Sequence, residues 1–148
     1  MSAIIEKLLK GAVCSSLEQT AVLACEFSKV LPDDCVIALS GDLGTGKTAF
    51  VKALAQSLGV AQTVKSPSFN ICCVYDIPDG RKLVHIDAYR FTDGAQYEDL
   101  LVDEIAPSPH IVCIEWAEIV EEYIEPDFWL KLDIQDNAHT VKLIAKNK

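Results

Sequence analysis

Two periods organise the apolar positions of this chain. In 47–58, Phe50, Val51, Leu54 and Leu58 recur at helical spacing on one face, and Gly59 supplies a stop, which predicts a helix. A second helix is predicted ahead of it. Ser15 and Glu18 stand in capping-box spacing, the helix runs to about Lys29, and Pro32-Asp33-Asp34 ends it. Between them, Cys35–Ser40 is an unbroken apolar run, the pattern of a strand buried on both faces. Further on, 69–75 and Lys82–Asp87 read as strands either side of Pro78-Asp79-Gly80, whose turn chemistry makes them an antiparallel hairpin. The polar segment 93–103 contains a short helix, His110–Glu115 is another apolar strand, and Ala117–Tyr123 is a short acidic helix. The segments 128–134 and 140–145 close the pattern as a pair of strands. Strands that alternate with helices, plus antiparallel additions, predict a three-layer α/β domain with a mixed, mainly parallel sheet.

The 148 residues make one domain, 1–148, long enough to bury a core. Thirteen basic against 22 acidic residues leave a net charge of −9. That balance argues against independent nucleic-acid binding and against docking on anionic membranes. The acidic groups cluster: 97–136 holds 12 of the 22 and one basic residue, Lys131, so this is either a solvated face or a surface for a basic partner. Lys52, Lys65, Arg81 and Lys82 are the candidates for a local basic patch. No run of 18 apolar residues spans a bilayer, and Glu6, Lys7 and Lys10 break any signal-peptide core, so a cytoplasmic location is expected. In that reducing setting none of the six cysteines stands in CxxC spacing, which speaks against a metal or redox site, and Cys35, Cys72, Cys73 and Cys113, in apolar strand-like runs, read as small buried hydrophobes.

One segment carries chemistry. Gly41-Asp42-Leu43-Gly44-Thr45-Gly46-Lys47-Thr48 fits G-x-x-x-x-G-K-[ST], the Walker A pattern. A chance match in a chain of this length is on the order of 1%, and this one follows an apolar strand and opens an amphipathic helix, as the motif requires. The glycines let the backbone approach an anion, the loop N–H groups form a nest, and the helix adds its positive end. Lys47 supplies charge to the β and γ phosphates and Thr48 a hydroxyl to Mg²⁺. The fold class is therefore a P-loop NTPase-like domain. Such a site needs a carboxylate at a strand end for the metal. Asp87 and Glu115 both qualify: one would hold Mg²⁺, the other orient the attacking water or the metal's surroundings. No N-K-x-D guanine-reading motif stands in a usable place, no LSGGQ-like stretch is present, and two arginines, Arg81 and Arg90, leave little for a kinase lid.

Taken in order, Thr20, GDLGTGKT from Gly41, VKSPSF from Val64, HIDAYR from His85 and EWAE from Glu115 resemble the TsaE family over about residues 15–145. The resemblance implies a compact P-loop fold, ATP with Mg²⁺, weak ATPase activity alone, and work in the cytoplasm with TsaD and TsaB. TsaD transfers the threonylcarbamoyl group to adenosine 37 of tRNA, and the TsaE protein serves the multi-turnover cycle, touching tRNA only through the complex. By matching positions, the resemblance gives Thr20, Asp42, Leu43, Gly44, Thr45, Gly46, Lys47, Thr48 and Ala49 to nucleotide binding. It gives Thr48 and Glu115 to the metal, and Lys47, Asp87 and Glu115 to catalysis. Ser66-Pro67-Ser68-Phe69 would be a switch-like loop near the γ-phosphate or else a strand-initiating turn, Trp116 a core aromatic, a wall over the site or a partner contact, and Tyr89-Arg90 structural or a phosphate contact. The chain departs from the family pattern at Ser68, where threonine is commoner, at Ala117, where proline is common, and at His139-Thr140, where an arginine is frequent. Residues 1–10 extend beyond the usual start and are given no role.

Three functions follow as expectations: an ATP-hydrolysing accessory protein for threonylcarbamoyladenosine (t6A) formation, a P-loop phosphotransferase on a small molecule or protein, and a nucleotide-binding interaction module without catalysis.

Overall fold

The computed structural model describes residues 2–67 and 70–144. The chain forms α1 (Ala3–Lys10), β1 (Ala12–Cys14), α2 (Leu17–Ser28), β2 (Cys35–Ser40), α3 (Lys47–Ser57), β3 (Cys72–Asp76), β4 (Lys82–Asp87), α4 (Val102–Ile105), β5 (His110–Glu115), β6 (Phe128–Gln135) and β7 (Ala138–Leu143). The strands make one seven-stranded sheet in the order β1-β7-β6-β2-β5-β4-β3. Its centre, β6-β2-β5-β4, is parallel, and β3 and β7 are added antiparallel on either side. The mixed, mainly parallel α/β fold is thus present.

The two-residue period of the strands explains the layers. Ile37 and Leu39 of β2, Leu83 of β4 and Ile111 and Cys113 of β5 join the core beneath α1, α2 and α3. Their neighbours Ala38, Val84, Ile86, Val112 and Ile114 join a second core on the opposite face, under 3₁₀ turns and α4. Phe27 of α2 ties the first core together, with its ring centroid 6.1 Å from that of Phe50 and 5.1 Å from that of Phe128.

Several expectations change in detail. The cap of α2 is Ser16, not Ser15: its Oγ accepts from Gln19 N–H, while Gln19 Oε1 accepts from Ser15 N–H. Adjacent serines followed by Glu-Gln offer the same pattern in two registers, and the chain takes the later one. Both 94–100 and 117–123 are 3₁₀ helices, the latter broken at Val120. The hairpin partner of β4 begins at Cys72; the first residue of the expected strand, Phe69, lies outside the described residues, as does Ala145 at the end of the last. Residues 1–10, left without a role, contain α1. Ser2 caps it, and it buries Ile4 and Leu8 in the first core. β1 then pairs with β7. Two of the four candidate patch cations are neutralised where they stand: Arg81 pairs with Asp79 at 2.7 Å, and Lys82 with Asp76.

All six cysteines are free thiols. Cys35 and Cys113 are buried as expected, whereas Cys72 and Cys73 are only half-buried; burial pushes Cys35 up to about 12 and Cys72 up to about 11, which disfavours the thiolate.

Candidate functional site

Because β2, β4 and β5 run parallel, Ser40, Asp87 and Glu115 finish at one edge of the sheet. β2 lies between β6 and β5, so the chain leaving β2 turns at the point where strand order switches sides, the place where open α/β sheets bind ligands. There the glycine loop 41–46 connects β2 to α3. Gly41 must be glycine on two counts: φ is +142°, and a Cβ would meet Leu132 O at 2.4 Å. Gly46, at φ +98°, sets the turn into α3. No side chain caps α3, so its first N–H groups have no side-chain acceptor.

Lys47 is buried, and its ammonium is held by backbone: Nζ donates to Gly41 O at 2.5 Å and to Asp42 O at 2.8 Å. It also lies 4.5 Å above the Trp116 ring. Burial lowers its pKa, against the upward pull of Glu115, Glu118, Asp87 and Asp42. Thr48, one residue on, donates its hydroxyl to Glu115 at 3.0 Å (Oε1) and 2.8 Å (Oε2). Glu115 is itself buried at 4% exposure. Asp87 is paired with Glu115 in the β4–β5 register, and its Oδ1 accepts from Tyr89 N–H at 2.9 Å. The Tyr89 and Trp116 rings pack with centroids 4.9 Å apart, and Trp116 takes a left-handed φ of 58° that turns the chain straight after Glu115.

These groups line an open cavity of about 440 Å³, with Leu43, Gly44, Ala49, Ser66 and Arg90 among its walls. Cavities of similar size lie beside β1 and α2 and around His110, away from the glycine loop. Of the residues singled out from the sequence, the fold brings Leu43, Gly44, Gly46, Lys47, Thr48, Ala49, Asp87 and Glu115 to this one cavity. Asp42 and Thr45 shape the loop from behind: Thr45 Oγ1 and Lys47 Nζ both donate to Asp42 O at 2.8 Å. Thr20 of α2 is not among the residues that line this cavity, and its hydroxyl donates to Ser16 O at 3.3 Å. Ser66 reaches the cavity, whereas Ser68 and Phe69 of the expected switch lie outside the described residues.

Two contacts had no signal in the sequence. His139 of β7 donates from Nδ1 to Thr45 O at 3.0 Å, bracing the glycine loop from the last hairpin. His85 of β4 reaches Glu115.

The oxygen donors fit a hard divalent cation. Mg²⁺ is held by few protein groups and keeps water and phosphate oxygens. Thr48 and Glu115 offer one hydroxyl and one carboxylate side by side, and among the described residues no group of three or more His, Cys, Asp and Glu forms a separate cage. No helix among the described residues is long and apolar enough to cross a membrane.

A family model described as "Threonylcarbamoyl adenosine biosynthesis protein TsaE" matches residues 14–144. The "tRNA threonylcarbamoyladenosine biosynthesis protein TsaE" of Streptomyces coelicolor is 38% identical over 128 residues, covering 83% of this chain and 86% of that protein. The protein of the same name from Aquifex aeolicus is 38% identical over 144 residues, covering 95% and 99%. The crystal structure of Bacillus subtilis YdiB superposes with a TM-score of 0.68 at 27% identity, over 90% of this chain and 82% of that one.

Proposed function

The chain belongs to the TsaE family, and from that membership and the geometry of the cavity we propose that it is a Mg²⁺-dependent, ATP-binding and ATP-hydrolysing accessory protein of t6A formation at position 37 of tRNA, acting with TsaD and TsaB. The observation that carries the reading is the Thr48–Glu115 contact at the mouth of a glycine loop that opens an uncapped helix. It sets a hydroxyl and a carboxylate next to an anion nest, which is where a nucleotide phosphate and its cation are bound together.

Each residue then has a task. The N–H groups of 44–48 cradle phosphate oxygens. Lys47 exchanges the Gly41 and Asp42 carbonyls for phosphate and is already stripped of water by burial, so the exchange costs little further desolvation. Thr48 and Glu115 would hold Mg²⁺, which when bound would supply positive charge to the phosphates. Asp87 faces the same cavity with its carboxyl raised above the ordinary value by burial, which makes it a stronger acceptor for a proton of the attacking water. That water forms a bond to the γ phosphorus as the bond to the β–γ bridging oxygen breaks, giving ADP, phosphate and a proton. Tyr89 and Trp116 wall the cavity and keep the site partly dry. Arg81, one of the two arginines, is committed to Asp79 and to Asp33 O, which leaves Arg90 at the cavity. With so little guanidinium to neutralise the transition state, turnover of the isolated protein is slow and awaits its partners.

Reconstitution of t6A formation with TsaD, TsaB, tRNA and this protein tests the reading. The wild type is expected to sustain repeated rounds, and Lys47→Ala to cut the steady rate by about 100-fold or more. A wild type that moves the γ-phosphoryl group to an acceptor would replace the reading with a phosphotransferase. Tight ATP binding without release of phosphate would leave an interaction module.

A further inference from the structure

His85 of β4 is fully buried, on the same face of the strand as Leu83 of the first core. Its Nε2 lies 2.6 Å from Glu115 Oε2. Its Nδ1 is buried without a hydrogen-bond partner among the described residues. One tautomer reconciles the two. A lone pair on Nε2 would face the lone pairs of a carboxylate oxygen at close range, and the proton would then be an orphan donor on Nδ1. With the proton on Nε2 the short contact becomes a charge-assisted hydrogen bond, and only an acceptor is left unpartnered. A leucine would fill this core position without the desolvation cost of an imidazole, so the ring answers to something other than packing.

The arrangement around Glu115 shows what. A glutamate carboxylate turns freely about its last torsion unless its oxygens are held. Here Oε2 accepts from His85 on one side and from Thr48 on the other, whereas Oε1 accepts from Thr48 alone. We propose that His85 is a positioning residue for metal binding: as a fixed Nε2–H donor it pins Oε2 of Glu115 and leaves Oε1, which accepts from Thr48 alone, for the cation. This rests on the reading of the site given above. His85 touches neither nucleotide nor cation and acts through Glu115. It is placed to do so by the β4–β5 register, which sets His85 opposite Cys113, two residues before Glu115 on the same face. Hydrogen-bond partners of metal-binding side chains commonly change metal affinity or activity by 10–100-fold when removed.

Three substitutions separate positioning from packing. His85→Gln puts an amide N–H near the place of Nε2, His85→Asn stops short at the place of Nδ1, and His85→Leu keeps bulk without a donor. Nucleotide binding is read by titrating ADP in the presence of excess Mg²⁺ and again in chelator, and the Mg²⁺ dependence of phosphate release is measured beside it. We expect the asparagine and leucine variants to need about 10–100-fold more Mg²⁺, with ADP affinity in chelator unchanged, and the glutamine variant to recover most of the loss. Asparagine and glutamine differ by one methylene, so the contrast survives if the leucine variant does not fold. A Mg²⁺ requirement equal to wild type in the asparagine variant overturns the inference, as does an equal loss in asparagine and glutamine variants. If the wild type itself is indifferent to Mg²⁺, the reading of the whole site falls, and this inference with it.

Discussion

Asp87 stands at the end of β4 with its carboxyl raised above the ordinary 3.8, chiefly by burial and further by the charge of Glu115, against the Tyr89 N–H that favours ionisation. A carboxyl raised in the folded state favours folding only while it is protonated. That contribution is complete below 3.8 and is lost as pH rises through the raised folded value. At neutral pH the ionised Asp87 therefore weighs against the empty fold. Asp87→Asn, which keeps the oxygen that accepts from Tyr89, is expected to melt at a higher temperature than wild type at neutral pH. The gain should shrink as pH approaches 3.8, while phosphate release falls. Thermal melts across that range check it, and a gain that does not change with pH would assign the effect elsewhere. Keeping such a group is the usual cost of a reactive site. At this scale the sequence was informative where chemistry is local. Lys47 and Thr48 are fixed by motif spacing, and Asp87 and Glu115 by ending apolar runs. It marked His85 as the start of a motif and His139 as a departure from one, but gave neither its partner, Glu115 and Thr45, which stand 30 and 94 residues away. Such pairs arise from strand register, which no local pattern encodes.

Among the elements, α1 and β1 are two that periodicity did not assign. β1 has three residues, Ala12–Cys14, too few to show an alternation. α1 has eight, and its buried pair Ile4 and Leu8 is one i,i+4 repeat. Both matter to the site at one remove, since β1 pairs with β7, and β7 carries the His139 that braces the glycine loop. Leu8 is fully buried in the first core, so α1 is part of the domain and not an appendage. Leu8→Ala should cost about 2–5 kcal/mol, lowering Tm by roughly 5–15 °C in a domain of this size. Denaturant unfolding and thermal melts check the value, and a change under about 1 kcal/mol would make α1 peripheral. The elements that chemistry depends on, β2, α3, β4 and β5, were legible because each is long enough to show its period and is bounded by glycine, proline or charge.

For the whole molecule, the sheet order is what makes a site of separate motifs. Placing β2 beside β5, with β4 next, brings Thr48, Asp87 and Glu115, which stand 28 to 67 positions apart in the chain, to one cavity. Sequence alternation implied a parallel sheet but not that β6 would flank β2 on its other side, a pairing across about 90 residues. The net charge of −9 argues against independent tRNA binding and is consistent with the proposed role, in which tRNA is met through partners. It leaves one question at the centre of the account, whether the cavity turns over ATP in step with that assembly. Phosphate release from Mg·ATP should be followed for the protein alone and with TsaD, TsaB and tRNA, with Lys47→Ala as control. Slow release by the protein alone, a marked change on adding the partners, and loss of both in Lys47→Ala are the expected results. Release that ignores the partners, or that persists in Lys47→Ala, would contradict the proposed role.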